Sequence, residues 1–387
     1  MTILFINNLF NLFAKADSGA SQRSMRIIRA LAKVGHVDVV SFVDETESNE
    51  PNVDVLYSRY MDMAQGNGGR LGKFLNLFRW RRPNDIYPVQ IEKEQVIDDV
   101  ILKNSYDFVV VRYVHFACDC GLLKYADRLI IDIDDDPKQV VLMSLARIRT
   151  FRNRFYNKLY ANTIDKVSRT VVKRVRGAFF STPNMNYSNA RFLPNISVFV
   201  EPLPPADFDN LPPTIMMVGY FKYYPNVEGL THFIKDVFPK IRTAIPSVVL
   251  NVVGRMIDDD LRIMCSQTKG VHVLGFVEDI KEVYRMSHCV IVPLYKGTGT
   301  SVKMVEAMSI GRTVVATPCG ARGLNNAFVA NKDFLLAESD NDFVDKVIYV
   351  LTHKNENFKM ANRALRKIEE FYSERMFNQI IATSLNN

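Results

Sequence analysis

No stretch of this 387-residue chain approaches the roughly 18 consecutive apolar residues of a membrane span, so a soluble or peripherally attached protein is expected. Met1–Ile6 is apolar but short and has no basic leader, which favours a strand over a signal peptide. The five cysteines are an odd number and thinly spread: Cys118 and Cys120 form a C-x-C pair with no second pair, and Cys265, Cys289 and Cys319 stand apart. That pattern excludes a disulfide framework and a cysteine metal site, and reads as reduced thiols in a cytosolic protein. No G-x-G-x-x-G lies between the first strand and helix, where Asn8–Gln22 carries Ser18-Gly19-Ala20 instead. The dinucleotide fingerprint is therefore missing, which argues against an NAD or FAD enzyme. Low-complexity tracts are absent too, as are the aromatic-lined sheet, zinc knuckle or recognition helix of a nucleic-acid binder.

Hydrophobic content of 48% with 24% charge is ordinary for a globular chain. The length exceeds the about 250–300 residues at which single cores stop growing, so two domains are expected. The net charge of +7 is concentrated: Arg147 to Arg176 holds ten basic residues and one acid, Asp165, so that window alone carries +9. A second basic segment, 70–82, sets Leu71, Phe74, Leu75 and Phe78 at i, i+3, i+4, i+7 among Arg70, Lys73, Arg79, Arg81 and Arg82, beside Trp80, the single tryptophan. Each segment reads equally as a solvated helix face or as a face for an anionic membrane.

In order, Ile3–Asn7, Val37–Phe42, Tyr106–Val111, Arg128–Asp134 and Gly177–Thr182 read as strands, with helices at Ser21–Val34, Ile91–Lys103 and within 138–176, and 44–90 irregular. This is α/β alternation. Asp132, Asp134, Asp135 and Asp136 cluster at a strand end before Pro137, as ligands for sugar hydroxyls or a metal, or as a polar turn. Without a nearby histidine a metal is not expected. Five prolines between Pro202 and Pro213 mark an interdomain linker. Beyond it, strands are expected at Ile215–Val218, Val248–Val253, Val271–Leu274, Val290–Pro293 and Thr313–Ala316, with helices at about 226–242, 258–268, 279–287 and 301–310, and a helical region over about 340–383. Short valine- and isoleucine-rich strands suggest a parallel sheet buried on both faces, with ligands at the loops that follow the strands.

One stretch stands out: Gly297-Thr298-Gly299-Thr300-Ser301-Val302-Lys303-Met304-Val305-Glu306-Ala307-Met308, then Gly311. A buried strand runs into a glycine- and hydroxyl-rich loop and then a helix start. Free N–H groups and a partial positive charge of roughly half a unit make that start an anion site. Lys303 adds a full charge, and Glu306, one turn on, is suited to gripping hydroxyls. Sugar diphosphates carry both kinds of group.

Over about residues 214–324 the chain resembles the GT-B-fold glycosyltransferases, in particular the retaining family-four, or group 1, type. The resemblance rests on the Gly219…Pro225-Asn226 loop, Val252-Val253-Gly254-Arg255, Gly275-Phe276-Val277-Glu278-Asp279, Val292-Pro293-Leu294, the stretch above and Thr313-Val314-Val315-Ala316-Thr317. The first half matches more loosely, through Ser18-Gly19 and Pro194-Asn195. It implies two Rossmann-like domains with parallel sheets facing a central cleft: an acceptor domain over 1–200, a linker over 201–213, a nucleotide-sugar domain over 214–360, and a C-terminal helix over 361–387 packing back towards the first domain. It further implies that Glu306 takes the ribose hydroxyls, that Lys303 and the amides of Gly299, Thr300 and Ser301 hold the diphosphate with help from Arg255, and that Gly275 and Phe276 meet the base. Gly19 and Asn226 join the donor-binding set, and His115, Asp134 and Thr298 are candidate sugar or acceptor contacts.

Two departures stand out. Thr298 occupies the position where many relatives carry a first glutamate, and Tyr220-Phe221-Lys222-Tyr223-Tyr224 replaces an Arg and Lys after the first strand of the nucleotide domain. The expected activity is retaining transfer from a nucleotide-diphosphate sugar to a glycan or lipid-linked hydroxyl in cell-surface polysaccharide or glycoconjugate synthesis. No metal or cofactor and no nucleic acid is expected, and the site of action would be cytoplasmic or peripheral at the inner membrane face. Rivals are a nucleotide-sugar epimerase or a phosphorylase on the same fold, or a catalytically weak binding scaffold.

Overall fold

The structure, a computed structural model, describes residues 1–9, 11–13, 19–61, 76–144, 150–183, 185, 187–199, 201–297, 299–324 and 326–386. It divides into two units, Met1–Pro194 with Arg375–Asn387, and Asn195–Glu374.

The first unit runs β1 (Thr2–Asn7), α1 (Gly19–Ala32), β2 (His36–Ser41), β3 (Val53–Ser58), α2 (Ile91–Lys103), β4 (Phe108–Arg112), α3 (Val114–Asp119), β5 (Leu129–Asp134), α4 (Pro137–Ser144), α5 (Phe151–Val172), β6 (Gly177–Phe180) and β7 (Ala190–Phe192). Its sheet has the order β3-β2-β1-β4-β5-β6-β7, and every ladder is parallel. Central β1 and β4 are apolar almost throughout because helices cover both faces of a parallel sheet. The two edge strands escape the sequence reading for the same reason. Beyond the buried Val53, β3 alternates exposed with half-buried residues, and β7 is three residues long, so neither offers an apolar run. Among the described residues the basic region 138–176 forms two helices, α4 and α5, and 145–149, with Arg147 and Arg149, lie outside those residues.

A buried ion network ties this unit together. Arg23 on α1 donates to both oxygens of Asp132 on β5, at 2.9 and 2.7 Å. Arg112 at the end of β4 donates to Asp132 at 2.8 Å, to Asp134 at 2.5 Å and to the Ala20 carbonyl at 2.6 Å. Burial would push the Asp132 carboxyl up, but the Arg23 and Arg112 guanidiniums outweigh it and hold it below the usual range. The C-terminal α13 (Glu374–Asn386) buries Phe377, Ile381 and Leu385, and its Ser384 hydroxyl accepts from Arg191 at 3.3 Å.

The second unit runs β8 (Thr214–Tyr220), α6 (Tyr224–His232), a π-helical turn (Phe233–Val237), α7 (Phe238–Ala244), β9 (Val249–Arg255), α8 (Asp259–Gln267), β10 (Val271–Gly275), α9 (Ile280–Arg285), β11 (Cys289–Val292), α10 (Val302–Ser309), β12 (Thr313–Ala316), β13 (Leu335–Leu336), α11 (Asp340–Thr352) and α12 (Lys354–Phe371). Its parallel sheet has the order β10-β9-β8-β11-β12-β13. The single helix expected over 226–242 is broken by the π turn, just before Pro239, which has no N–H to donate and crowds the carbonyl one turn back. The proline-rich stretch is part of this unit: Leu203 N–H donates to the Ile310 carbonyl at 3.1 Å, and the Phe208 ring meets His288 and Phe358.

Asp132→Ala would leave two buried guanidiniums without their shared carboxylate and is expected to destabilise the first unit by about 3–5 kcal/mol, read by urea unfolding. The depressed carboxyl sets the sign in pH. The stabilisation is present above the unfolded carboxylate pKa and is lost as pH falls through the folded one.

Candidate functional site

In both sheets the first strand lies between the second and the fourth, so the chain reverses its winding direction there. The loops that leave β8 and β11 turn to opposite faces and open a crevice at the strand ends. The ladder between those two strands holds only Ile215–Cys289 and Met216–Val290, whereas β8 stays paired with β9 as far as Tyr220–Arg255.

After β11 the chain passes Gly297 (φ 152°) and Gly299 (φ 69°), conformations that glycine adopts freely. It enters α10 through Ser301, whose buried N–H donates to the Arg322 carbonyl at 3.3 Å. The buried Ser301 hydroxyl has no partner among the described residues. Thr300 Oγ1 donates to the Gly323 carbonyl at 3.3 Å, and the Arg322 guanidinium lies where a side chain on Gly297 would be. From the other side of the crevice comes the loop after β8. Asn226 is buried near the start of α6, and its amide bridges the two loops. Its Nδ2 donates to the Tyr220 carbonyl at 2.9 Å, and its Oδ1 accepts from Lys303 Nζ at 2.6 Å.

Lys303 is thus held by a neutral amide. Burial pushes its pKa down, the Arg322 charge adds to this and Glu306 opposes it, for a net fall to about 8. Glu306, one turn along α10, also faces Tyr284, a buried phenol whose OH has no partner among the described residues. Unsatisfied buried polar atoms are uncommon in folded proteins and call for a ligand or a water. Ser301 and Tyr284 supply two of them around one short helix. A close approach fixes the crevice wall: a Cβ on Gly229, inside α6, would lie 2.1 Å from the Pro293 carbonyl oxygen.

A second group forms at the ends of β9 and β10. The Arg255 guanidinium lies 4.0 Å from the centre of the Phe276 ring, which is 57% exposed, and Gly275 has φ 67°. Arg255 and two residues expected to meet the base, Gly275 and Phe276, are thus neighbours at one end of the sheet.

The first unit holds Gly19, His115 and Asp134. Gly19 opens α1, and a Cβ there meets nothing within 4 Å, so the unit's own packing does not require glycine. His115 is packed against Phe116 at 4.1 Å and stacked on Tyr113 at 5.6 Å, and burial pushes its pKa down to about 4, so it is neutral at physiological pH. Asp134 is engaged by Arg112 and has φ 64°. Of its neighbours, Asp135 accepts from Ser181 at 3.2 Å, and Asp136 accepts from the Lys138 N–H at 2.8 Å at the start of α4, so all four aspartates serve the fold. Thr298 and Ser18 lie outside the described residues.

Three features were missed from sequence. Arg322 sits in a loop already marked as ligand-facing, so a charge there was the available signal. Tyr284 gives no local signal. Glu45 accepts from the N–H groups of Leu12 and Phe13, at 2.7 and 3.1 Å, and from Asn7 at 3.1 Å, clamping the segment after β1 from a distant position. Among the described residues one group has metal-like spacing, His36, Asp38 and Asp54, with ligand atoms within 4.8 Å of one another. It lies at the opposite, N-terminal ends of β2 and β3, where Tyr106 also donates to Asp38 at 2.7 Å.

Residues 212–353 match the family described as Glycosyl transferases group 1. A trehalose synthase of Thermococcus litoralis is 27% identical over 203 residues, 49% of this chain and 46% of that protein. The chain spans about half the length of this relative. An uncharacterised 44.6 kDa protein in the cps region of Klebsiella pneumoniae is 21% identical over 94% of this chain and 95% of its own. Among solved structures, the Anabaena HepE protein in complex with UDP superposes with a TM-score of 0.67 at 13% identity, covering 100% of both chains. That likeness shows the fold, and the α/β class with two Rossmann-like units of the GT-B type is as expected.

Gly229→Ala tests the crevice wall. Alanine in a helix normally gains about 1 kcal/mol over glycine. Here the contact with Pro293 should reverse the sign and lower the unfolding midpoint in urea.

Proposed function

We propose that this protein moves a sugar from a nucleoside-diphosphate donor to a hydroxyl of a glycan or lipid-linked acceptor, a reading supported by the match of residues 212–353 to the family described as Glycosyl transferases group 1 and by the GT-B fold. The observation that carries the reading is the Lys303–Asn226 bond across the crevice, with the Ser301 hydroxyl, unpartnered among the described residues, at the start of α10 and Glu306 one turn on. A diphosphate at the helix start meets Lys303 and the backbone N–H groups of the first turn of α10. Glu306 accepts from the ribose hydroxyls, and Phe276, with one face against Arg255, offers the other to the base. UDP is the first nucleotide to try, because the Anabaena structure holds it.

In the reaction the bond from the anomeric carbon to the diphosphate oxygen breaks, and its electron pair stays on the diphosphate. The acceptor oxygen attacks that carbon from the same face, giving retention, and its proton passes to the departing diphosphate. No base is needed. Lys303 and the α10 amides, fixed beforehand around the growing negative charge, supply the main acceleration. The reading needs no metal or prosthetic group. Synthesis of a cell-surface polysaccharide is the setting we favour, on the strength of the full-length likeness to the Klebsiella cps-region protein.

Glu306→Ala should weaken nucleotide binding by about 10- to 150-fold, as for loss of a charged hydrogen bond of about 1.5–3 kcal/mol, and remove most turnover. Calorimetric titration with UDP, GDP and ADP, followed by a donor-hydrolysis assay, reads both. Full activity in that variant would sink the proposal. Lys303 gives a second test. Its proton is lost near pH 8 in the free protein, and a bound diphosphate raises that pKa, so affinity should fall as pH rises above about 8, by up to about tenfold per unit. Stability of the free protein should move the other way over the same range, since the buried charge is then relieved. Lys303→Met should abolish the pH dependence of binding.

A further inference from the structure

We propose that the outer face of α5, with the turn at 76–82 beside it, is a docking surface for an anionic lipid bilayer. The buried residues of α5, among them Ile164, Val167 and Val171, lie on one side of the helix. Directly opposite, where a soluble helix carries polar groups, stand Phe151, 86% exposed, and Phe155, 55% exposed, one turn apart. Arg154 and Lys158 flank them on the same face, and further along that face come Lys166, Arg169 and Lys173, all exposed. No acidic residue occurs from Phe151 to Ile164.

The helix start is electrostatically the wrong way round for a free helix. Its first turn contains no acid and instead holds Arg152 and Arg154, and the N-cap residue Thr150 makes no side-chain cap. Positive charge at the positive end of a helix is unfavourable unless an anion lies there. The turn at 76–82 adjoins this helix through Thr163 Oγ1, which donates to the Leu77 carbonyl at 3.3 Å. That turn adds exposed Phe78, Arg79, Arg81 and Arg82.

Aromatic side chains set among basic ones match the boundary of a bilayer with anionic headgroups, where rings enter the acyl region and cations stay with phosphate. A soluble polyanion would satisfy the charges but leave the exposed Phe151 and Phe155 without a purpose. The surface also deepens the proposed reaction, because it brings a lipid-linked acceptor to the protein.

The test is flotation of the full chain with vesicles of phosphatidylglycerol and phosphatidylethanolamine, against vesicles of phosphatidylcholine. Wild type should float with the anionic vesicles and release as salt rises. Arg152→Glu with Arg154→Glu and Lys158→Glu should lower partitioning by about a hundredfold or more, at roughly fivefold per lost charge. Phe151→Ser with Phe155→Ser should lower it by about tenfold or more at unchanged net charge. Both faces point to solvent, so unfolding curves should match wild type and show that neither variant acts through misfolding. Equal flotation with neutral vesicles, wild-type flotation by both variants, or capture of RNA in place of vesicles would overturn the proposal. Flotation without sugar transfer would leave this surface standing and remove the enzymatic reading, so the two fail separately.

Discussion

Everything placed at the candidate site depends on two neighbouring parallel strands whose continuing chains depart on opposite faces of the sheet. Right-handed crossovers permit this arrangement only where the winding direction reverses, and there the strand ends stand apart with nothing between them. In the second unit this occurs between β8 and β11, and at the gap stand a glycine-rich backbone, a helix start, an amine and a carboxylate. Asn226 and Lys303 come from opposite sides of the gap and meet across it at 2.6 Å.

The first unit repeats the topology but treats the equivalent region differently. At the ends of β4 and β5 it places the Arg23–Asp132–Arg112 network, which satisfies charge with charge and ties α1 to those two strands. An ion network of that kind fixes geometry more than it adds stability, because desolvation offsets much of the attraction. The segment after β1 is held to the same frame by Glu45 through backbone N–H groups. One unit thus sets an amine beside a neutral amide, and the other sets Arg23 and Arg112 against carboxylates.

Much of this was legible in the sequence because parallel strands write themselves as apolar runs. β4, β5, β11 and β12 were found that way, and the Gly297–Gly311 stretch was legible as a glycine-rich loop running into a helix start. The half-buried edge strand β3 and the very short β7 and β13 were not, since periodicity has little to register in them. The π turn before Pro239 was missed because a helix with a proline near one end keeps its apolar spacing. At the site, Lys303 and Glu306 were visible as neighbours on one helix, whereas their long-range companions were not. Tyr284 faces Glu306 from α9, and Arg322 reaches Gly297 from beyond β12, and only the folded chain brings such residues together. The contact of Arg255 with Phe276 was not legible for the same reason.

The short ladder between β8 and β11 also has a mechanical meaning. Every other central seam of this unit is stitched by four or more residue pairs, but this one by two. Under load the sheet should part here first, into a half carrying Asn226 and a half carrying Lys303. A molecule bound in the crevice would grip both halves at the weakest line of the sheet, acting as a rivet where the backbone supplies few stitches.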